Sequence, residues 1–470
     1  MQMLINGEFI DKEDKQEIKN PFNGEVIDTV PIADWGDADK VIEVANNAKL
    51  SIQNMSAKEV SESLFNASLD LEEQSEYIAN LIVSEVGKPY KQAIVEVNRS
   101  IETLRFAAEE AKRIYGETVP LDVAGSSNEK FYGFTKKIPI GVVGAITPFN
   151  FPVNLALHKI APALAAKNTV IVKPSMDAPL STLKIVEILN NHFPKGVINA
   201  ITGYGSEVGD ALVVSTDVDK ISFTGSVATG LFIASRAGMK KITLELGGND
   251  PLIVLEDADL EKATDAALSA FSCAGQVCIG VKRIILDNKI ADKFIDLFIK
   301  KTKQLKIGDP SDKTVDIGPV IDENAAIHIS KSINSAIEDG AKLLLGGSYD
   351  GCLFEPTILD NVNMSMDLVA NETFGPVAPI IRVDGVEEAI SVANNTQYGL
   401  QAGVFTENIN NALKCVEKID SGAVLINKES TFRTDNMPFG GFKSSGMGKE
   451  GIKYAVEDMC KTKLIILNHI

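Results

Sequence analysis

The run Gly141-Val-Val-Gly-Ala-Ile-Thr147 decides the fold of this chain, because it begins a regular alternation of short apolar segments with helical segments. Further short apolar runs follow at about 169–173, 197–202, 219–224 and 241–245. Short continuous runs that alternate with helices are typical of a parallel sheet covered on both faces. We therefore predict a doubly wound α/β sheet whose ligands bind beyond the carboxyl ends of its strands.

A second alternation of the same kind begins after Gly248. Its predicted elements are strands at 251–255 and 281–287 and helices at 259–272 and 291–306, with further alternations to about 426. At 470 residues the chain is too long for one ordinary core. We predict two doubly wound α/β domains, with a ligand site in the cleft between them.

The composition describes an ordinary globular protein with an acidic surface. Hydrophobic residues make up 45% of the chain, charged residues make up 23%, and the formal net charge is -18. This charge argues against nucleic acid or an anionic membrane as a partner, because both attract basic patches. The five cysteines show no zinc-ligand spacing and no CxxC pair, which favours the reducing cytoplasm. We recognise no signal peptide and no membrane span.

A thiol, a carboxamide and a carboxylate form a possible acyl-transfer set. Cys278 lies in a loop of small residues, although a single free cysteine is more often a buried small hydrophobic residue than a nucleophile. Asn150 and Glu245 each follow an apolar run, where a parallel sheet presents ligand-binding groups. The three supply a nucleophile, an oxyanion donor and a base. They can cooperate only if the cysteine loop of the second series faces the strand ends of the first.

Other stretches are candidates for anion or nucleotide binding. Ser226 follows Gly225 at a predicted helix start, where backbone N–H groups hold phosphate, although a serine-capped glycine turn explains the pattern equally well. The run Gly203-Tyr-Gly-Ser-Glu-Val-Gly209 approaches a dinucleotide fingerprint but has one residue too many between its second and third glycines. Lys173 ends a strand and is either a ribose or phosphate ligand or a solvated lysine.

Seven stretches, in this order, resemble the NAD(P)-dependent aldehyde dehydrogenase family over essentially the whole chain. They are Pro148-Phe-Asn-Phe-Pro152, Lys173-Pro-Ser175, Phe223-Thr-Gly-Ser226, Leu244-Glu-Leu-Gly-Gly248, Gly275-Gln-Val-Cys278, Glu372-Thr-Phe-Gly-Pro376 and Pro438-Phe-Gly-Gly-Phe-Lys-Ser-Ser-Gly446. The resemblance implies that Cys278 forms a thiohemiacetal, that Asn150 stabilises its oxyanion, and that Glu245 activates the water that hydrolyses a thioester. It implies no metal. The presence of all three residues argues against a catalytically silent scaffold of this family.

The resemblance also implies a nicotinamide cofactor, NAD or NADP. The residues expected to contact it are Thr147, Phe149, Lys173, Ser175, Met176, Gly205, Gly209, Gly225, Ser226, Thr229, Leu246, Glu372 and Phe374. Many NAD-preferring members have a glutamate where this chain has Met176, and that carboxylate repels a 2′-phosphate. We therefore predict use of both cofactors or a mild preference for NADP.

The domain division follows from the same resemblance. It assigns 1–118 and 139–247 to the dinucleotide-binding domain, 248–450 to the catalytic domain, and 119–138 with 451–470 to a β oligomerisation arm. The arm implies a homo-oligomer, either a dimer or a tetramer.

The substrate is constrained by four positions. Arg99, together with the segment 429–438, resembles the branch that contains lactaldehyde dehydrogenase and non-phosphorylating glyceraldehyde-3-phosphate dehydrogenase. Phosphate-using members typically have tyrosine at the position of Phe151 and arginine at the position of Val277. A small uncharged hydroxyaldehyde, lactaldehyde, is therefore favoured. Arg99 and Arg433 keep glyceraldehyde 3-phosphate as the alternative, unless both form structural ion pairs.

Overall fold

This computed structural model describes residues 1–124 and 130–468, which begin with four short strands and four helices and then alternate between strands and helices for most of their length. The strands are β1 Met3–Ile5, β2 Glu8–Ile10, β3 Lys15–Lys19, β4 Val26–Pro31, β5 Thr118–Val119, β6 Phe131–Pro139, β7 Val142–Ile146, β8 Thr169–Lys173, β9 Ile198–Ala200, β10 Lys220–Thr224, β11 Lys241–Glu245, β12 Asp250–Val254, β13 Val281–Asp287, β14 Lys342–Leu345, β15 Tyr349–Asp350, β16 Leu353–Phe354, β17 Thr357–Asp360, β18 Val377–Val383, β19 Gln401–Phe405, β20 Ala423–Ile426, β21 Gly446–Met447 and β22 Cys460–Asn468. The α-helices are α1 Trp35–Gln53, α2 Ala57–Glu73, α3 Ser75–Val86, α4 Tyr90–Glu110, α5 Asn154–Ala165, α6 Leu180–Asn190, α7 Asp210–Val214, α8 Val227–Arg236, α9 Leu260–Ala267, α10 Ala291–Thr302, α11 Glu323–Glu338, α12 Asp367–Ala370, α13 Gly385–Asn394, α14 Ile409–Lys418 and α15 Ile452–Asp458.

The five predicted apolar runs form the parallel centre of the first sheet. Its order is β2-β1-β9-β8-β7-β10-β11-β21, and β1, β2 and β21 pair antiparallel at the two edges. Strands β7 to β10 are buried along their whole length, which explains why their sequences show no polar alternation. The chain proceeds from β7 through β8 to β9 on one side and from β10 to β11 on the other. The order therefore reverses between β7 and β10, where such a sheet opens a ligand crevice.

Helices cover both faces of this sheet, as a doubly wound fold requires. Val143 and Ala145 of β7 point into the core beneath α5 and α6, which α2, α3 and α4 cover in turn. Val142 and Ile146 point into the opposite core, beneath α1, α7 and α8. Successive strand residues thus alternate between two apolar layers. The predicted α/β fold class is confirmed.

The second sheet has the order β14-β17-β18-β13-β12-β19-β20 and is parallel except for β14. Its strand β13 occupies the range predicted for it, 281–287. The helix predicted before it is shorter than expected, because α9 ends at Ala267 and continues as a 3-10 turn to Gly275. Helical geometry is then lost at Ser272–Ala274, where Cys273 and Ala274 have left-handed φ angles of 49° and 53°.

A third sheet has the order β22-β6-β5, and its strands lie in or directly beside the two segments predicted to form the oligomerisation arm. Strand β21, assigned to the catalytic domain, pairs with β11 of the first sheet. Helix α15, assigned to the arm, packs on α4 and α5, because its Ile452 and Val456 belong to the first core. Residues 125–129 of the predicted arm lie outside the described residues. Within the described ranges, no helix has the length and apolarity to cross a bilayer.

Candidate active site

A cavity of about 970 Å³ lies at the carboxyl ends of β7, β8, β10 and β11. All the residues predicted to contact the cofactor line it, and so do Asn150 and Cys278. Cys278 precedes β13, so its loop lies at the amino end of the second sheet and faces the carboxyl ends of the first. The cleft expected between the two α/β units is therefore present. The wall of the cavity does not include Glu245, Arg99, Phe151, Val277 or Arg433.

The thiol of Cys278 lies against an apolar cluster that includes Val277, Leu400 and Phe439. Burial raises the pKa of this thiol to about 12, while the Arg433 guanidinium lowers it. The thiol is therefore protonated at neutral pH. A base must take its proton before it can act as a nucleophile.

Asn150 lies directly beside the cysteine loop. Its buried amide Nδ2 donates to the carbonyl oxygen of Gln276 at 2.8 Å, and its Oδ1 accepts from the Phe151 backbone N–H at 3.1 Å. An amide carries two N–H bonds, so one donor of Nδ2 is left for another acceptor. The Asn150 amide is therefore held against the cysteine loop at Gln276, two residues before Cys278 in the sequence.

Glu245 ends β11 as a buried carboxylate, with 3% of the residue exposed. Among the described residues, neither of its carboxylate oxygens has a hydrogen-bond partner. Burial raises the pKa of its carboxyl well above the usual range, the neighbouring Glu450 carboxylate raises it further, and Arg433 and Lys159 lower it. A buried, unpaired carboxyl with a raised pKa is typical of a group that exchanges protons at a functional site.

The first turn of α8 forms part of the cavity wall. Ser226 caps this helix by accepting from the Thr229 backbone N–H at 3.3 Å. A Cβ atom on Gly225 would lie 2.5 Å from the tip of the Phe223 ring, so any other residue there would displace that ring. The capping and anion-binding interpretations of Ser226 are compatible, because the helix start both carries its cap and borders the cavity.

Further polar groups surround the same space. Lys173 donates to the Pro174 carbonyl oxygen at 3.0 Å, and burial lowers its pKa to about 8. The Met176 sulfur accepts from the Gly203 backbone N–H at 3.1 Å. Burial raises the pKa of Glu372 to about 7, and its Oε1 is an unpartnered buried acceptor among the described residues. Such an acceptor fits a ligand hydroxyl.

The fingerprint-like glycines form a π-helical turn, Gly205–Gly209, instead of a tight phosphate loop. An added Cβ at either terminal glycine of that turn would meet no protein atom within 4 Å. Both glycines nonetheless border the cavity.

None of the four residues predicted to bind substrate lines the cavity. Arg99 forms two hydrogen bonds with Asp435, of 2.7 Å and 3.2 Å. Arg433 pairs with Glu450 at 3.1 Å and stacks its guanidinium 3.7 Å from the Phe439 ring centroid. Both arginines are therefore in ion pairs, which is the alternative to their binding a substrate phosphate. Val277 packs in the apolar cluster beside the thiol, and the Phe151 ring lies 3.6 Å from the Lys88 ammonium.

Several residues of the cavity wall and one buried ion pair outside it were not predicted from the sequence. Phe232 and Ile233 lie six and seven residues after Ser226 on α8, and extending the helical spacing from Ser226 would have found them. The buried pair Lys159–Glu450, at 2.8 Å, gave no such signal because its members are far apart in the chain.

A doubly wound nucleotide-binding sheet that opens onto a cysteine loop is the architecture of a dinucleotide-dependent enzyme. Residues 9–465 match the model of the Aldehyde dehydrogenase family, and the chain belongs to this family. It is 44% identical to the lactaldehyde dehydrogenase of Methanococcus aeolicus, over 99% of this chain and 100% of that protein. It is 42% identical to the 3-sulfolactaldehyde dehydrogenase of Priestia aryabhattai, over 99% and 98%.

Among solved structures, the glyceraldehyde-3-phosphate dehydrogenase GapN from Methanocaldococcus jannaschii, complexed with NADP, superposes with a TM-score of 0.94 at 45% identity. The match covers 98% of this chain and 100% of that chain. The predictions of an aldehyde dehydrogenase and of NAD or NADP as its cofactor are confirmed.

Proposed function

We propose that this protein oxidises lactaldehyde, a small uncharged hydroxyaldehyde, to the corresponding carboxylate. The observation that carries the proposal is the neutralisation of both candidate anion-binding arginines, Arg99 by Asp435 and Arg433 by Glu450. A phosphate would have to compete with these carboxylates in a strongly acidic protein. A neutral hydroxyaldehyde instead meets the apolar cluster beside Cys278. The name of the Methanococcus aeolicus relative supports the same substrate.

Non-phosphorylating oxidation of glyceraldehyde 3-phosphate is the second candidate function. Nε of Arg433 is a buried donor without a partner among the described residues, and an anionic substrate bound beside it would satisfy this donor. The GapN structure from Methanocaldococcus jannaschii supports this alternative.

The proposed mechanism assigns one task to each catalytic side chain. Cys278 loses its thiol proton to a base, which passes it to solvent, and Sγ attacks the aldehyde carbon. The remaining N–H of Asn150 and the Cys278 backbone N–H then stabilise the oxyanion of the thiohemiacetal. Loss of hydride leaves a thioester on Sγ. Glu245 then removes a proton from water, whose attack releases the acid and restores the thiol. The buried, unpaired carboxylate of Glu245 supports its role as this base.

The cavity fits a dinucleotide. We infer that Lys173 and Ser175 hold the adenosine ribose, that the start of α8 at Ser226 holds the pyrophosphate, and that Glu372 and Phe374 hold the nicotinamide half. The unpartnered Oε1 of Glu372 and the cavity-lining helix start support this assignment. When bound, NAD(P) supplies the hydride acceptor that the thioester step requires.

Steady-state rates with two aldehydes test the proposed substrate. We expect kcat/KM for lactaldehyde to exceed that for glyceraldehyde 3-phosphate at least tenfold, which is about 1.4 kcal/mol of transition-state preference. Unphosphorylated glyceraldehyde is the matched control, because it isolates the contribution of the phosphate. A higher kcat/KM for the phosphorylated aldehyde than for both others would establish the second candidate.

Cofactor preference is a separate proposal that rests on Met176. We expect the wild-type protein to bind and use both NAD and NADP. Met176→Glu places a carboxylate near the 2′-phosphate position and should raise the dissociation constant of NADP by about tenfold or more, with little effect on NAD. Calorimetric titration measures both constants, and Met176→Leu is the control that changes shape without adding charge. A wild-type protein that strongly prefers NAD would contradict the proposal.

We also propose that the protein is a homo-oligomer, a dimer or a tetramer, that works in the cytoplasm. Strand β22 forms one edge of the arm sheet, and Leu464 and Ile466 on it are about half exposed. A monomeric mass in light scattering would contradict assembly. All five cysteines are free thiols, which supports a reducing compartment, and a disulfide in the native protein would argue against it.

A further inference from the structure

The turn that precedes Cys278 has an unfavourable backbone conformation, which contacts from other parts of the protein must stabilise. Cys273, Ala274 and Gly275 are three consecutive left-handed residues, with φ angles of 49°, 53° and 71°. Left-handed backbone is unfavourable for the first two because each carries a Cβ atom. A Cβ on Gly275 would lie 1.9 Å from the Gly375 carbonyl oxygen, so the turn is also tightly packed.

One side chain from the first unit contacts this turn directly. Gln92, in the first turn of α4, accepts with its Oε1 from the backbone N–H of Cys273 at 2.9 Å and from its Sγ at 3.0 Å. Its Nε2 donates to the Asp316 carbonyl oxygen at 3.0 Å. Gln92 does not border the cofactor cavity. It therefore joins α4 to the cysteine loop without being one of the groups that line the nucleotide site.

The next turn of α4 holds the other half of the catalytic site. Glu96 accepts from the backbone N–H groups of Val153 and Asn154, at 3.0 Å and 3.2 Å, where α5 begins. Lys88 pairs with Glu96, and the side chains of both are fully buried. Asn150 lies just before this helix start. Two neighbouring side chains of α4 thus hold the loops that carry the nucleophile and the oxyanion donor.

We propose that Gln92 is a positioning residue, which with Glu96 fixes the distance between Cys278 and Asn150 and thereby sets the rate of aldehyde oxidation. The inference rests on the proposed roles of these two catalytic residues. The hydrogen bond from Asn150 to the Gln276 carbonyl oxygen joins the same two loops directly. Small displacements of reacting groups reduce rates strongly while leaving ground-state binding intact.

Substitution of Gln92 tests the proposal through kcat, KM and cofactor binding measured together. Gln92→Met keeps the length of the side chain but removes both hydrogen bonds to Cys273. We expect kcat with lactaldehyde to fall by roughly 10- to 100-fold, with the KM and the dissociation constant of NADP within about twofold of wild type. Gln92→Glu keeps the acceptor for the Cys273 N–H and should recover most of the lost kcat.

The matched control is Lys91→Met, one residue earlier on α4. The exposed side chain of Lys91 pairs with Asp316 and not with the cysteine loop, so kcat should stay within about twofold of wild type. Equal kcat values for Gln92→Met and Lys91→Met would overturn the proposal. So would equal losses in Gln92→Met and Gln92→Glu, which would indicate a general loss of structure. If Gln92→Met does not fold, Gln92→Asn, whose shorter amide cannot reach both partners, is held to the same criteria.

A parallel assay separates failure of this inference from failure of the proposed function. If Cys278→Ala still oxidised aldehyde, the proposed function through a Cys278 thioester would itself be wrong. An inactive Cys278→Ala together with a fully active Gln92→Met would leave the proposed function standing and remove only the positioning role.

Discussion

Cys278→Ala is expected to reduce aldehyde oxidation by at least about 1,000-fold, because it removes the sulfur atom that we propose forms the thiohemiacetal. The formation of reduced cofactor under saturating aldehyde measures the effect. Binding of NAD(P) should change little, since the cavity wall contains many other contacts. Titration of the variant with NADP therefore shows that the loss lies in the chemical step.

The control for this prediction is Cys352→Ala, which removes a half-buried thiol from the second unit. Its turnover should equal that of the wild type. Iodoacetamide provides a second check, because alkylation of Cys278, identified by mass spectrometry, should progress in step with inactivation. Complete alkylation of Cys278 with turnover retained would exclude it as the nucleophile.

The sequence predicted those parts of the fold that depend on local patterns. The apolar runs of β7, β8 and β10 are buried on both faces, so their composition alone identifies them as central parallel strands. The carboxyl ends of parallel strands lie at one edge of the sheet. Asn150 and Lys173 lie at or just beyond the ends of two such strands and therefore line the same cavity. The residues predicted to contact the cofactor all line this cavity, and they could be named because their motifs are contiguous in the chain.

Long-range pairings could not be predicted in this way. Asp435, which neutralises Arg99, lies 336 residues away in the chain. Strand β21 pairs with the first sheet although its segment was predicted to belong to the catalytic domain. Helix α15 packs on α4 and α5 although it was predicted to belong to the arm. Each of these contacts depends on how the completed units meet. Such contacts leave no pattern in the local sequence. Arg99 and Arg433 were therefore open to two interpretations, as substrate ligands or as members of ion pairs.

Glu245→Gln is expected to separate the two halves of the reaction, because it removes the proposed base while keeping the size of the side chain. Mixing the variant with aldehyde and cofactor should give a burst of about one reduced cofactor per active site and then a steady rate lower by roughly 100-fold or more. The thioester accumulates because hydrolysis is slow. Hydroxylamine attacks thioesters without a general base, so it should restore turnover in Glu245→Gln.

The pH dependence provides an independent check on the same residue. Burial and the Glu450 carboxylate raise the pKa of Glu245, so its carboxyl takes up a proton at a higher pH than an exposed glutamate does. The base is active only when deprotonated. The wild-type rate of thioester hydrolysis should therefore fall as the pH drops through this raised pKa, and the fall should be absent in Glu245→Gln, because a glutamine does not titrate. If the burst itself disappears in Glu245→Gln, the carboxylate also takes the proton of the Cys278 thiol, whose raised pKa requires such an acceptor at neutral pH.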